Sequence, residues 1–175
     1  VFYPAKDFIF YSADIHGNQI VRERLQVIEK LIKGEDITVV TTIDGCMDKL
    51  MTPQVFRKYS RTLSVGDDID IKELSEYLVD IGYEHVAQVE EGGQFAIRGG
   101  IIDIYPLTGE NPCRIELWDT EIDSMRLFDA ESQRSVENIE ELYIFPATDL
   151  IVPDGLGAGI KALEMLGKKL YLSIF

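Results

Sequence analysis

Arginine, tryptophan and carboxylate side chains fall at close spacing in two stretches of this sequence. Residues 95–106 read FAIRGGIIDIYP and residues 113–118 read CRIELW. Successive side chains of a β-strand alternate faces, so Cys113, Ile115 and Leu117 point one way and Arg114, Glu116 and Trp118 the other. The apolar set belongs in a core. An arginine and the chain's only tryptophan are then left facing water. Arg98, on the neighbouring predicted strand, has the same opportunity. Arg and Trp are enriched where binding energy concentrates, and a guanidinium grips a carboxylate through two bonds. Arg98, Arg114 and Trp118 are therefore the candidate partner-binding residues. A second reading stays open: the arginines pair only with Glu116 and Asp103, and Trp118 lies over them in a cation–π contact. Asp103 alternates into an apolar strand, where a lone carboxylate suits an arginine or a backbone donor better than the role of a base.

Other chemistries find little support. GLGAGIKAL at 155–163 fails the G-x-x-x-x-G-K-[ST] spacing, because Ile160 separates Gly159 from Lys161 and Ala162 replaces the hydroxyl that would hold magnesium. Neither Glu91-Gly-Gly nor Arg98-Gly-Gly fits G-x-G-x-x-G. His16 and His85 fall in different predicted units without a ligand set of metal spacing, and no G-x-S-x-G occurs. Cys46 and Cys113 have no CxxC partner and read as two reduced core thiols. No catalytic, cofactor-binding or metal site is predicted, and the chain by itself does not read as an enzyme.

Composition agrees. The chain has 175 residues, 46% hydrophobic and 27% charged, and a net charge of −14. Such acidity opposes non-specific contact with nucleic acid, whose phosphates carry the same sign. A chain of this length buries roughly 70% of its unfolded surface, enough for one domain or two small ones. No run of about 18 apolar residues and no signal peptide is visible, so the cytoplasm is the expected compartment. The start at Val-Phe-Tyr-Pro and the end in the apolar run LYLSIF suggest a piece of something longer.

The elements that must position these residues read as α/β and α+β. Residues 1–58 look like a fragment of a doubly wound α/β layer. It has an extended segment at 2–9 and a helix at 18–33, with Ile20, Val21, Leu25, Ile28, Leu31 and Ile32 in one stripe and Gly34 after it. The opposite face of that helix holds Arg22, Arg24, Glu29 and Lys30. A β-branched run at 37–43 fits a buried parallel strand, and a short helix from 44 or 45 to 50 ends near Pro53. Residues 59–150 form a small α+β domain with an antiparallel sheet. A strand at 62–65 precedes a helix capped by Asp70 and Glu73, with Ile71, Leu74, Leu78 and Ile81 at helical spacing and Gly82 as the stop. Strands are then expected at 84–89, 94–105, 113–118, 122–128 and 142–145. Residues 151–175 form a C-terminal helical segment with Ile160, Leu163, Leu166 and Leu170 in one stripe.

Four longer stretches carry a resemblance: YPAKDFIFYSADIHGN, HVAQVEEGGQFAIRGGIIDIYPL, RIELWDTEIDSMRLFDAESQRS and ELYIFPA. Over residues 2 to 150 the chain resembles the amino-terminal, UvrB-like module of the bacterial transcription-repair coupling factors (Mfd). UvrB itself has a similar block, and the fuller run at 119–134, with Thr120 in its first acidic position, favours the coupling factor. The resemblance implies a non-catalytic module that recruits UvrA in transcription-coupled nucleotide-excision repair, through a surface on the small α+β insert. The family's docking residues fall on Arg98, Arg114 and Trp118, the last often phenylalanine. The resemblance assigns RNA polymerase, duplex DNA, ATP and magnesium to translocase and polymerase-binding modules of the parent protein, expected after residue 175. It also leaves open docking of the same surface inside the parent. The rival reading is a DNA-handling or nucleotide-binding fragment of a UvrB-like helicase, touching DNA through Arg22, Arg24 and Lys33.

Overall fold

The computed structural model describes residues 1–6, 17–48 and 50–151. Strand β1 (Phe2–Tyr3) leads to helix α1 (Gly17–Lys33) and a parallel strand β2 (Val40–Thr41). This is the strand-helix-strand slice expected of an α/β layer. It departs from expectation in two places. The predicted strand at 37–43 shrinks to two residues, and Val39 and Val40 are exposed, because β1 is its one neighbour among the described residues. Arg24, expected on the solvent face of α1, is fully buried. Its Nη1 donates to the Pro4 carbonyl and to Asp48 Oδ2, both at 2.8 Å, and its guanidinium lies 4.4 Å from the centre of the Tyr3 ring. Those partners take the place of water at Nη1, while Nε, 3.7 Å from Asp149 Oδ2, and Nη2 make no hydrogen bond among the described residues.

Helix α2 (Ile43–Met47) starts at Thr42, whose hydroxyl accepts from the Gly45 N–H. Helix α3 (Pro53–Tyr59) was not expected, since Pro53 reads as a stop. Proline is instead well suited to the first helical turn, where its missing N–H costs nothing and its φ is already set. Phe56 of α3 stacks on Phe145 at 5.4 Å. The two rings join Tyr3, Leu25, Val27, Ile28, Leu107 and Ile151 in one core cluster, which draws residues from both sides of position 58.

Strand β3 (Arg61–Ser64) pairs antiparallel with β10 (Glu141–Ile144). Between them run helix α4 (Ile71–Asp80) and a six-stranded sheet: β4 (Glu84–His85), β5 (Gln94–Arg98), β6 (Ile101–Tyr105), β7 (Cys113–Trp118), β8 (Glu121–Phe128) and β9 (Ser135–Ile139). Asp70 caps α4 by accepting the Glu73 N–H at 2.9 Å, as its spacing requires. Leu74 and Leu78 of α4 are buried against the inner face of the sheet with Phe95, Ile102, Ile104, Ile115, Ile122 and Met125. Burying each leucine is worth about 1.5–3 kcal/mol.

One predicted strand, 94–105, is a hairpin instead. The chain reverses at Gly99-Gly100, Arg98 pairs with Ile101, and Gly99 takes φ 63°. Only glycine visits that region without strain, so the pair makes a tight turn inside an otherwise continuous apolar run. Strand β9 adds a pairing that the sequence pattern does not signal, and the expected strand at 84–89 is only two residues long. The glycine-rich stretch at 155–163 and the expected C-terminal helix lie outside the described residues, as does His16. Cys113 is buried as expected, but Cys46 is exposed on α2, because nothing among the described residues covers that side of the short helix.

Candidate partner-docking face

The outer face of the sheet carries the candidate residues. Cross-strand pairing sets Asp103 opposite Arg114, and Arg114 opposite Arg126, in one row across β6, β7 and β8. The next row sets Ile101 opposite Glu116, and Glu116 opposite Ser124. Trp118 ends β7 opposite Glu121. The alternation read from CRIELW holds: Cys113 and Ile115 are fully buried, while Trp118 is 81% exposed.

Asp103 is the pivot of this face. Its side chain is 1% exposed and accepts from Arg114 Nε at 2.7 Å and Nη2 at 2.9 Å. Arg98 reaches the same carboxylate from β5. The two arginines named from the sequence thus share one buried acid. The hydrogen bond that Arg114 donates to Asp103 raises the pKa of Arg114 above its ordinary value, with burial opposing it. Arg114 lies with its guanidinium carbon 4.5 Å from the Phe128 ring centre and also donates to Gln133 Oε1 at 3.0 Å. It is 16% exposed, whereas Arg98 is 43% exposed.

Gln133 was missed by sequence reasoning. It sits in a loop after β8 where Asp129 Oδ1 accepts from the Ser132 N–H and hydroxyl. Its own φ is 59°, and its Nε2 is tied to the Ala130 carbonyl at 2.8 Å. The loop therefore aims the amide oxygen at Arg114. The signal available was D-A-E-S-Q, an aspartate that can cap its own turn, but nothing local says where the glutamine reaches.

The structure corrects the ion-pair alternative in two respects. Glu116 pairs with Arg126, at 2.5 Å, rather than with Arg114. The aromatic ring beneath Arg114 is Phe128, not Trp118, because Trp118 sits four residues farther along β7 at the hairpin tip. The hydrogen bond from Arg126 holds the Glu116 carboxyl below its ordinary range, so it is ionised at neutral pH.

The tip that carries Trp118 is anchored. Asp119 takes φ 60°, a conformation that aspartate tolerates better than most residues. Thr120 donates through its hydroxyl to Asp68 Oδ1 at 2.9 Å, and Ile69 N–H donates to the Thr120 carbonyl at 2.9 Å. Gly66 N–H donates to the Ile122 carbonyl at 2.8 Å. An exposed indole on a fixed backbone can dock without ordering its own strand first.

The residues of the DNA-handling reading are placed otherwise. Arg24 is buried, Arg22 donates to the Gly109 carbonyl at 2.8 Å, and Lys33 pairs with Glu29 at 2.7 Å. A concavity of about 670 Å³ lies beside α1, lined in part by Phe2, Glu23, Lys30 and Glu110, and Arg98, Arg114 and Trp118 are not among its lining residues. No group of three or more His, Cys, Asp or Glu side chains that could hold a metal occurs among the described residues, and no helix among them is long and apolar enough to cross a membrane.

Comparison with known proteins adds the family context. Residues 62–150 match the family model for the UvrB interaction domain. The chain is 38% identical over 174 residues to the transcription-repair-coupling factor of Bacillus subtilis (strain 168), covering 93% of this chain and 15% of that protein. It is 40% identical over 160 residues to that of Staphylococcus aureus (strain MRSA252), covering 91% and 14%. The chain therefore spans about 14–15% of the length of these curated relatives.

Proposed function

This chain belongs to the UvrB interaction domain family, and from that premise we propose that its outer sheet face docks UvrA. It would act as the non-catalytic recruiting module of a transcription-repair coupling factor. The observation that carries the reading is the arrangement of Arg98, Arg114 and Trp118 on one solvent-facing side of the sheet, with Trp118 81% exposed at an anchored hairpin tip. An arginine pair around a buried acid offers planar donors to carboxylates on the partner, and the indole offers an apolar anchor. Arg98 supplies the more open donor. Arg114 contributes its remaining nitrogen and holds Asp103, which in turn orients Arg98. A sheet face with an exposed indole beside partly exposed arginines suits a protein surface better than a small molecule, which takes a concave site. Translocation on DNA and contact with RNA polymerase are assigned by this reading to other parts of the longer protein.

Titration of purified UvrA with this chain and with its Arg98→Ala/Arg114→Ala variant tests the reading, with circular dichroism confirming that both are folded. Wild-type binding, weakened by roughly 30-fold or more in the variant, is expected for hot-spot residues. Absence of binding by folded wild type, or equal binding by both, would overturn the assignment.

A further inference from the structure

Glu116 is out of place on a surface built to receive acids. It projects from β7 on the same face as Arg114 and Trp118, two residues from each, which sets it roughly 7 Å from either along the strand. Its side chain is 36% exposed, and its partner Arg126 is 29% exposed. Asp103 differs, since its charge is buried beneath two guanidinium groups. Glu116 is thus the open carboxylate between the candidate arginine and the candidate anchor.

We propose that Glu116 is a resident stand-in for the partner's acid: it occupies Arg126 in the free domain, and its charge restrains docking. This rests on the UvrA-docking reading and adds Arg126 to the surface as a third contact arginine. A partner carboxylate that meets Arg98 or Arg114 comes within about one Debye length of Glu116, close enough for repulsion to survive at physiological salt. Arg126 is in register with Arg114 on the adjacent strand, so an acid that displaces Glu116 finds a second guanidinium at the neighbouring strand position. The Glu116–Arg126 pair is partly solvated, and such pairs contribute little to folding. It can therefore open on docking without loss of the sheet. The pair then serves specificity: a partner must bring its own carboxylate to replace the one it displaces.

The proposal predicts a change of opposite sign from ordinary interface mutations. Glu116→Gln keeps the shape and a hydrogen-bonding oxygen but removes the charge. It should tighten UvrA binding about 3- to 10-fold, chiefly by faster association, and the gain should shrink in 0.5 M salt. Arg126→Ala should weaken binding. The melting temperature of Glu116→Gln should stay within about 2 °C of wild type, as expected for an exposed pair. Surface plasmon resonance on wild type and both variants reads all of this. If wild type binds UvrA and Glu116→Gln binds equally or more weakly, the stand-in role is overturned while the docking face stands. If both variants weaken binding alike, the pair is a structural clip and the proposal is likewise overturned. If folded wild type does not bind, the docking reading itself fails and this inference falls with it.

Discussion

Asp103 and Arg114 face each other across β6 and β7, and the guanidinium closes on the carboxylate through Nε to Oδ1 at 2.7 Å and Nη2 to Oδ2 at 2.9 Å. This two-point contact fixes the plane of Arg114 over Phe128. It also leaves Oδ2 shared with Arg98. One buried acid thus sets the orientation of two candidate docking residues on different strands.

Asp103→Asn should therefore act on both stability and binding. It removes a charge held by two guanidinium groups but keeps the side-chain volume. Hydrogen bonds to charged groups contribute about 1.5–3 kcal/mol, so a loss of about 2 kcal/mol is expected from urea unfolding. Arg98→Ala removes a more exposed partner and should cost under about 1 kcal/mol. Equal costs at the two positions would remove Asp103 from its place as the pivot.

Trp118 should separate the two properties cleanly. At 81% exposure its ring contributes little to the core, so Trp118→Ala should leave the melting temperature within about 2 °C of wild type. Under the docking proposal the same change should cost about 2 kcal/mol or more of UvrA affinity. A fall in melting temperature above about 5 °C would show that the indole packs inward.

Much of this arrangement is legible in the sequence, and the reasons for the exceptions are physical. Strand β7 alternates between buried Cys113 and Ile115 and the less buried Arg114 and Glu116, ending at exposed Trp118, so its outward residues can be read off directly. Helix α4 announces itself through Asp70, whose side chain makes the cap that the spacing promises. The β5–β6 hairpin does not, because both arms are apolar and the Gly99-Gly100 turn leaves no polar break between them. Strand β9 is mostly exposed, so no apolar period marks it. Arg24 is misjudged for a different reason. Its burial depends on Pro4 and Asp48, which are distant in sequence and brought together only by the fold. Gln133 is hidden in the same way, since its contact with Arg114 spans two strands and a turn.

Two glycines with positive φ should respond differently to the same substitution. At Gly99, φ is 63° and an added Cβ meets nothing within 4 Å. Gly99→Ala carries only the left-handed backbone cost, about 1–2 kcal/mol. At Gly82, φ is 95° and the added Cβ would lie 2.8 Å from Thr148 Cβ. Gly82→Ala should cost about 3 kcal/mol or more, because overpacking adds to backbone strain. Comparable urea midpoints for the two variants would contradict this ordering.

The two cysteines should behave as a chemical readout of the fold. Cys46 is exposed and Cys113 is buried, so a thiol reagent at pH 8 should modify one thiol per native chain quickly and the second only on unfolding. Burial pushes the Cys113 pKa up from 9.0 to about 12, with the backbone hydrogen bond at Arg126 opposing it. The folded chain then keeps a proton that the unfolded chain releases. This contribution is complete below pH 9 and is lost as pH rises from 9 towards 12, with a slope of up to about 1.4 kcal/mol per pH unit. Burial also raises Tyr77 and Tyr83 above their ordinary 10.0, so their loss joins only above pH 10. Cys113→Ala should lower stability at pH 8 through the cavity it leaves, yet flatten the decline between pH 9 and 10. Urea unfolding across that interval, wild type beside variant, measures the difference, and parallel declines would mean that the thiol is not the group responsible.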